Sequence, residues 1–308
     1  MKKISVVLPC FNEEENIEPL YQSLERILGK LNYNFEYLFI DNCSEDKTVQ
    51  EIKKICAKDP KVKLIVNSRN FGHIRSPMHG VLNATGDAAI LMATDFQDPP
   101  ELLLEFIQKW EEGYKVIKGV KSSSEEKSFF FFVRKTYYKT VNRLADVELT
   151  QNYTGFGMYD SCVLKELKEV KDRYPYFRGL ISEIGFKSAE IKFKQPQRKR
   201  GFTKNNLYTL YDMGILGIIS HSKIPLRICT VIGFATGAFF FSVSLCYLLL
   251  KIVFWKSFSF GLAPLMIGLF FLGGMNLFFL GLLGEYICAI HTQVIAHPIV
   301  VEKERVNF

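Results

Sequence analysis

Short apolar runs alternate with amphipathic stretches over the first 120 residues. Residues 4–8 form an apolar run broken only by Ser5, the pattern of a strand buried on both faces. Ile17, Leu20, Tyr21, Leu24, Ile27 and Leu28 then recur at helical spacing and make one apolar face. The cycle repeats through a strand at 35–40, a helix over 49–57, a strand at 62–66, a helix near 73–84 and a strand at 88–92. Such alternation predicts an α/β fold, a Rossmann-like sheet with a parallel core and helices on both faces. Ligands of these sheets bind beyond the carboxyl ends of the strands. That singles out residues 9–14, 41–46, 67–73 and 93–100, all polar or turn-rich. No GxGxxG follows any strand, so the dinucleotide fingerprint is absent.

The pattern changes after residue 225. Two uncharged stretches, 228–250 and 261–283, are each long enough to cross a hydrocarbon core of roughly 30 Å. The short loop 251–260 makes them an antiparallel transmembrane hairpin with both chain ends on one side. The expected organisation is a domain over 1–225, a two-helix membrane unit over 226–290 and a tail over 291–308. Arg198, Lys199, Arg200, Lys204, Lys223 and Arg227 precede the first span, and Lys303 and Arg305 follow the second. The opposite loop holds Lys251 and Lys256. The positive-inside rule then puts the catalytic side and both termini in the cytosol, against the inner (cytoplasmic) membrane. Gly233 and Gly237 in the first span, with Gly273, Gly274, Gly281 and Gly284 in the second, predict close helix contact. Arg227 and Glu285 are expected at the same depth and to pair at the cytosolic interface, with Glu285 lining the lipid-phosphate entrance as the alternative. Residues 128–144 and 203–222 read as juxtamembrane amphipathic segments. The first carries four phenylalanines ahead of Arg134, Lys135 and Lys139, as either a core helix with a solvated edge or an interfacial segment on lipid phosphates would.

Charge sharpens this picture. A net +7 suits anionic lipid or phosphorylated substrates. No zinc-finger spacing or RNA-binding signature accompanies it, so nucleic acid is not an expected partner. The seven cysteines are scattered, never at CxxC spacing, which argues against a disulfide framework or a zinc site. The N-terminal apolar run of about six residues is shorter than the roughly 7–15 of a signal peptide, so the first domain is expected in the cytosol.

The chemistry concentrates in Thr94-Asp-Phe-Gln-Asp-Pro-Pro-Glu. Asp95 and Gln97 offer hard oxygen ligands for Mg²⁺ or Mn²⁺, held jointly with diphosphate oxygens. Asp98 reads either as a second functional acid or as the cap of a helix starting at Pro99 or Pro100. Four segments together, Val6-Val-Leu-Pro-Cys-Phe-Asn-Glu-Glu, Ile40-Asp-Asn-Cys-Ser-Glu-Asp-Lys-Thr, Ser68-Arg-Asn-Phe-Gly-His and Asp95-Phe-Gln-Asp-Pro-Pro-Glu, resemble family 2 glycosyltransferases of GT-A fold. The two-span tail ending Gly284-Glu-Tyr-Ile looks like their polyprenyl-phosphate branch, which includes relatives of dolichol-phosphate mannose synthase and bactoprenol glucosyltransferase. The resemblance covers nearly the whole chain.

It implies that Pro9, Asn12 and Glu14 border the nucleotide, that Asp41 meets its base or ribose, and that Arg69 stands at the rim. It also implies that Asp95 and Gln97 hold a metal on the diphosphate, and that the basic run at 198–204 folds over donor or acceptor phosphates. Arg198 and Arg134 would then bind substrate, and Arg200 and Lys204 would offset charge on the leaving diphosphate. The chain departs from the family pattern at Asn42, where a second acid is common, at Cys43, where Gly is usual, at Ala93, the first DxD acid, and at Gly155, where relatives carry Asp.

The expected reaction is inverting transfer of a sugar from a nucleoside-diphosphate sugar, a UDP-sugar first among donors, to a polyprenyl phosphate for cell-surface glycan modification. Oligomerisation is implied by the resemblance. Two other readings are a catalytically inactive sugar-nucleotide-binding scaffold and a processive polysaccharide synthase. The latter needs a QxxRW-type motif, which neither Trp110 nor Trp255 supplies. Asp160 and Glu183 are reserve acids.

Overall fold

The computed structural model describes residues 1–123, 150–170, 172, 174–196, 224–254, 262–295 and 297–308. Eight strands form one sheet: β1 (Lys3–Cys10), β2 (Asn34–Asp41), β3 (Val62–Asn67), β4 (Ala88–Leu91), β5 (Val116–Ser123), β6 (Tyr153–Asp160), β7 (Ser188–Lys194) and β8 (Glu302–Val306). Their order is β7-β5-β6-β4-β1-β2-β3-β8. β1 is parallel to β2 and β4, and β2 to β3. β6 runs antiparallel between β4 and β5, and β7 returns parallel to β5. The mixed sheet thus has the parallel core that the alternation predicts.

Helices α1 (Ile17–Leu28), α2 (Thr48–Cys56) and α4 (Leu102–Glu111) cover one face. Ile17, Leu20, Leu24, Ile52, Phe106 and Ile107 pack there with Ile4, Val6 and Leu8 of β1. Helices α3 (Gly72–Asn83), α5 (Ser161–Glu169) and α6 (Phe177–Ile184) cover the other, where Met78, Val81, Val163, Leu164 and Leu180 pack with Val7. Alternate residues of β1 serve opposite cores, which is why residues 4–8 are apolar apart from Ser5, whose buried hydroxyl bonds to Glu36.

Two long helices follow, α7 (Ile224–Val253) and α8 (Leu262–Val294). Both are long and apolar enough to cross a membrane, and they leave large side chains such as Phe234 and Leu277 exposed. The hydroxyls of Thr230, Thr236, Ser242 and Thr292 donate to the carbonyl four residues back. That satisfies polar groups which lipid could not.

Three expectations are corrected here. Among the described residues, no atom beyond the helix's own backbone lies within 4 Å of a Cβ built on any of the six hairpin glycines named above, so they bring no described helix close. No ion pair joins Arg227 to Glu285. Arg227 lies three residues inside α7 and Glu285 nine inside α8, leaving them roughly 9 Å out of level at 1.5 Å per residue when counted from those helix ends. And the segment read as a tail is part of the sheet: β8 pairs antiparallel with β3. Arg75 donates to the carbonyls of Pro298 and Ile299, and Lys53 pairs with Glu304 at 2.7 Å. The chain therefore leaves the α/β domain into the hairpin and comes back to the edge of the same sheet.

Candidate active site

The loops after β1 and β2 are bound to each other. Asn12 donates its N–H to the Ser44 hydroxyl (2.8 Å), and its side-chain oxygen accepts the Glu45 N–H (2.8 Å). Glu14 accepts the Lys47 N–H, and Glu13 donates to Thr48 Oγ1, each at 2.8 Å. Asp41 is fully buried and takes both the N–H and the hydroxyl of Ser44. Burial still raises its pKa, against those bonds. Asn42 fixes the next loop: its amide donates to Asn70 Oδ1 (2.8 Å), while its oxygen accepts from Phe71 N–H (2.8 Å) and Asn67 Nδ2 (3.1 Å). Arg69 lies exposed over the Phe71 ring, 4.1 Å from its centre.

The loop after β4 is closed differently. Asp98 Oδ2 accepts the Ala93 N–H at 3.0 Å, Asp95 Oδ1 accepts the Gln97 N–H at 3.1 Å, and Thr94 donates to the Pro9 carbonyl at 3.2 Å. Asp98 caps no helix. α4 starts at Leu102, after a turn through Pro99–Glu101, and the carboxylate points back across its own loop. Burial raises the Asp98 pKa to about 6, with Asp95 pushing the same way and the Ala93 bond and Lys121 opposing.

Three of the non-glycine residues with left-handed backbone sit in these loops: Asn12 (φ 55°), Cys43 (φ 66°) and Phe96 (φ 60°). Such conformations are uncommon and concentrate where a loop is held for function. Cys43 stands where the family usually has glycine, and its φ supplies the reason. Gly155 has φ 101°, which a side chain rarely tolerates, so this β6 conformation matches the loss of the family's acid.

Pro9, Asp95, Gln97 and Asp98 line one cleft of about 360 Å³ at the carboxyl ends of β1 and β4, together with Gly155. Asn12, Glu14, Asp41 and Arg69 do not line it. Arg134, Arg198, Arg200, Lys204 and the amphipathic segments 128–144 and 203–222 lie outside the described residues. The cleft also takes in His73, Lys121 and Arg178. His73 ends one of the motif segments and so was within reach of the sequence. Nothing in the pattern marks Arg178, which arrives on α6. Asp160 is structural: it caps α5 through the Cys162 N–H and receives Trp110 Nε1 (2.7 Å) and Lys115 Nζ (3.0 Å). Glu183 is exposed on α6 and does not line the cleft.

Residues 5–168 match glycosyl transferase family 2, and residues 224–290 match the GtrB C-terminal hairpin. The chain belongs to glycosyl transferase family 2. Its sheet is the mixed GT-A arrangement, and its apolar hairpin associates it with membrane. Among similar proteins, the uncharacterized glycosyltransferase YkcC of Bacillus subtilis (strain 168) is 33% identical over 96% of this chain and 91% of its own length. The prophage bactoprenol glucosyl transferase homolog of Escherichia coli (strain K12) is 31% identical over 96% and 97%. The bactoprenol glucosyl transferase of Shigella phage SfX is 30% identical over 98% and 99%.

Proposed function

We propose that this family 2 enzyme moves a sugar from a nucleoside-diphosphate sugar to a polyprenyl phosphate at the cytosolic face of a membrane, inverting the anomeric carbon. The observation that carries the reading is one cleft holding Asp95, Gln97 and Asp98 at the carboxyl ends of β1 and β4, in a chain whose hairpin departs from and returns to that domain. Relatives named bactoprenol glucosyl transferase over their full length support the lipid acceptor. The return of the chain to β8 supports a two-span topology with both ends on the catalytic side, and the basic flanks support the cytosolic orientation.

The donor set fits a divalent cation. Among the described residues no cluster of three His, Cys, Asp or Glu could cage one, so the ion would rest on Asp95, Gln97 and substrate diphosphate oxygens, as Mg²⁺ or Mn²⁺ does. When bound, it would neutralise charge on the diphosphate. Asp98 closes the loop that presents Asp95 and Gln97. The acceptor needs little help from a base, because a phosphate monoester with a second pKa of about 6 is mostly dianionic at neutral pH. Positioning two anions demands cations instead. Lys121 and Arg178 line the cleft, and the run with Arg198, Arg200 and Lys204 adds three more charges nearby in sequence.

The test is transfer of radiolabelled sugar by the purified full-length protein to undecaprenyl phosphate across a panel of nucleotide sugars. A labelled lipid product is expected, and its mass identifies the sugar. Absence of product with every donor would sink the reading.

A further inference from the structure

A second hollow lies outside the cleft, an open pocket of about 830 Å³ walled by β5, β7 and α6. That is the size of a small-ligand site. Lys118 of β5 stands in its wall and is 6% exposed. Its ammonium has three N–H donors. One reaches the Thr150 hydroxyl at 3.0 Å, and the Tyr153 ring lies 5.8 Å from Nζ. Glu190 sits opposite Lys118 in the β5–β7 pairing but acts on it only through space, with no ion pair formed. Buried without an ionic partner, the ammonium has its pKa lowered.

Ser182 of α6 faces the same hollow, and its hydroxyl oxygen is buried with no hydrogen-bond partner. Lys121 and Lys192 add positive charge to the lining against the single carboxylate of Glu190. A buried ammonium without an ionic partner among the described residues and a buried hydroxyl without any partner therefore line one basic pocket. Native interiors seldom leave such groups unmatched without a reason. A ligand that brought several acceptor oxygens and negative charge would satisfy both at once, and phosphate does so.

We propose that this pocket binds a phosphate monoester, with Lys118 and Ser182 as its contacts. The volume leaves room for an organic group on the phosphate. Lys121 lines both this pocket and the cleft, so the two hollows adjoin there. The source of the phosphate is either the headgroup of the lipid acceptor, an assignment that rests on the function proposed above, or a soluble phosphate compound.

The test is calorimetric titration of the full-length protein in detergent with farnesyl monophosphate and, separately, with inorganic phosphate. Farnesyl monophosphate is expected to bind. Lys118→Met should weaken that binding at least tenfold and Ser182→Ala at least threefold, with UDP affinity unchanged in both variants. Binding of inorganic phosphate alone, through Lys118 and Ser182, would assign the pocket to soluble phosphate compounds. The proposal is overturned if neither probe binds, or if both variants bind as the unaltered protein does. Loss of sugar transfer with the phosphate binding intact would count against the proposed function and leave this pocket standing.

Discussion

The loops after β2 and β4 each carry a buried aspartate and a non-glycine residue in left-handed backbone, yet they use the acid differently. Asp41 is met by two donors from Ser44, inside a web that also ties down Asn12 and Glu14. Asp98 accepts one N–H, from Ala93, and stands in the wall of a cleft with Asp95. Burial raises the pKa of both. The comparison teaches that burial alone does not mark a reactive acid. The Asp41 loop is bound to its neighbours, and the Asp95–Asp98 loop lines the cleft.

The largest test of that contrast is Asp95→Asn. If Asp95 helps to hold a cation on the diphosphate, turnover should fall by about 10²–10³, the usual loss for one electrostatic contact to a leaving group. Donor-dependent lipid glycosylation measures it. An unchanged rate would move the reaction centre elsewhere. Asp41→Asn, in contrast, should cost stability before it costs turnover.

The difference between these loops was only partly legible in the sequence. The strand runs 4–8, 35–40, 62–66 and 88–92 located the sheet core and all four loops, because strands buried on both faces are mostly apolar, here with only Ser5, Glu36 and Lys63 as polar exceptions. Hydrogen-bond direction is not written in composition, so neither the bonds of Ser44 to Asp41 nor the turn of Asp98 back to Ala93, in place of a helix cap, could be read. β8 was hidden for another reason. Its sequence, Glu-Lys-Glu-Arg-Val, is charged, as an edge strand exposed to water can be. Only its antiparallel pairing with β3 reveals it. Asn42 read as a lost acid, whereas its amide donates to Asn70 Oδ1 and so performs a task a carboxylate cannot.

Asn42→Asp therefore tests the bound loops. The residue is 7% exposed, and the change would set a carboxylate against the acceptor oxygen of Asn70. A stability loss of about 2–3 kcal/mol is expected from the desolvated, unpaired charge. Thermal unfolding in detergent reads it. Equal stability would mean that the loop after β3 does not depend on this amide.

Asp98→Asn tests the other side of the comparison through pH. A carboxyl raised to about 6 in the folded protein, from an unfolded value of about 3.9, keeps its proton longer when folded. Its contribution to stability is fully present below about pH 4 and is lost as pH rises through about 6. Asparagine can still accept the Ala93 N–H but carries no charge to desolvate. The variant should flatten the stability profile between pH 4 and 6, and at pH 7.5 it should gain up to about 3 kcal/mol at roughly 1.4 kcal/mol per pH unit. An unaltered profile would show that Asp98 is better solvated than its 6% exposure implies.

Gly155→Asp carries the smallest expected effect and asks whether a missing acid was replaced or simply not needed. A Cβ at Gly155 would meet Phe177 at 3.5 Å and Leu91 at 3.7 Å, ordinary contact distances, so space does not forbid a side chain. The obstacle is the φ of 101°, and a side chain forced there should cost about 1–2 kcal/mol of stability. Because a dianionic phosphate acceptor needs no strong base, the restored acid should not raise turnover, and its charge in a cleft that already holds Asp95 and Asp98 should raise the KM for an anionic donor instead. A faster enzyme would mean that the acceptor does need deprotonation, and that the cleft lost its base at this position.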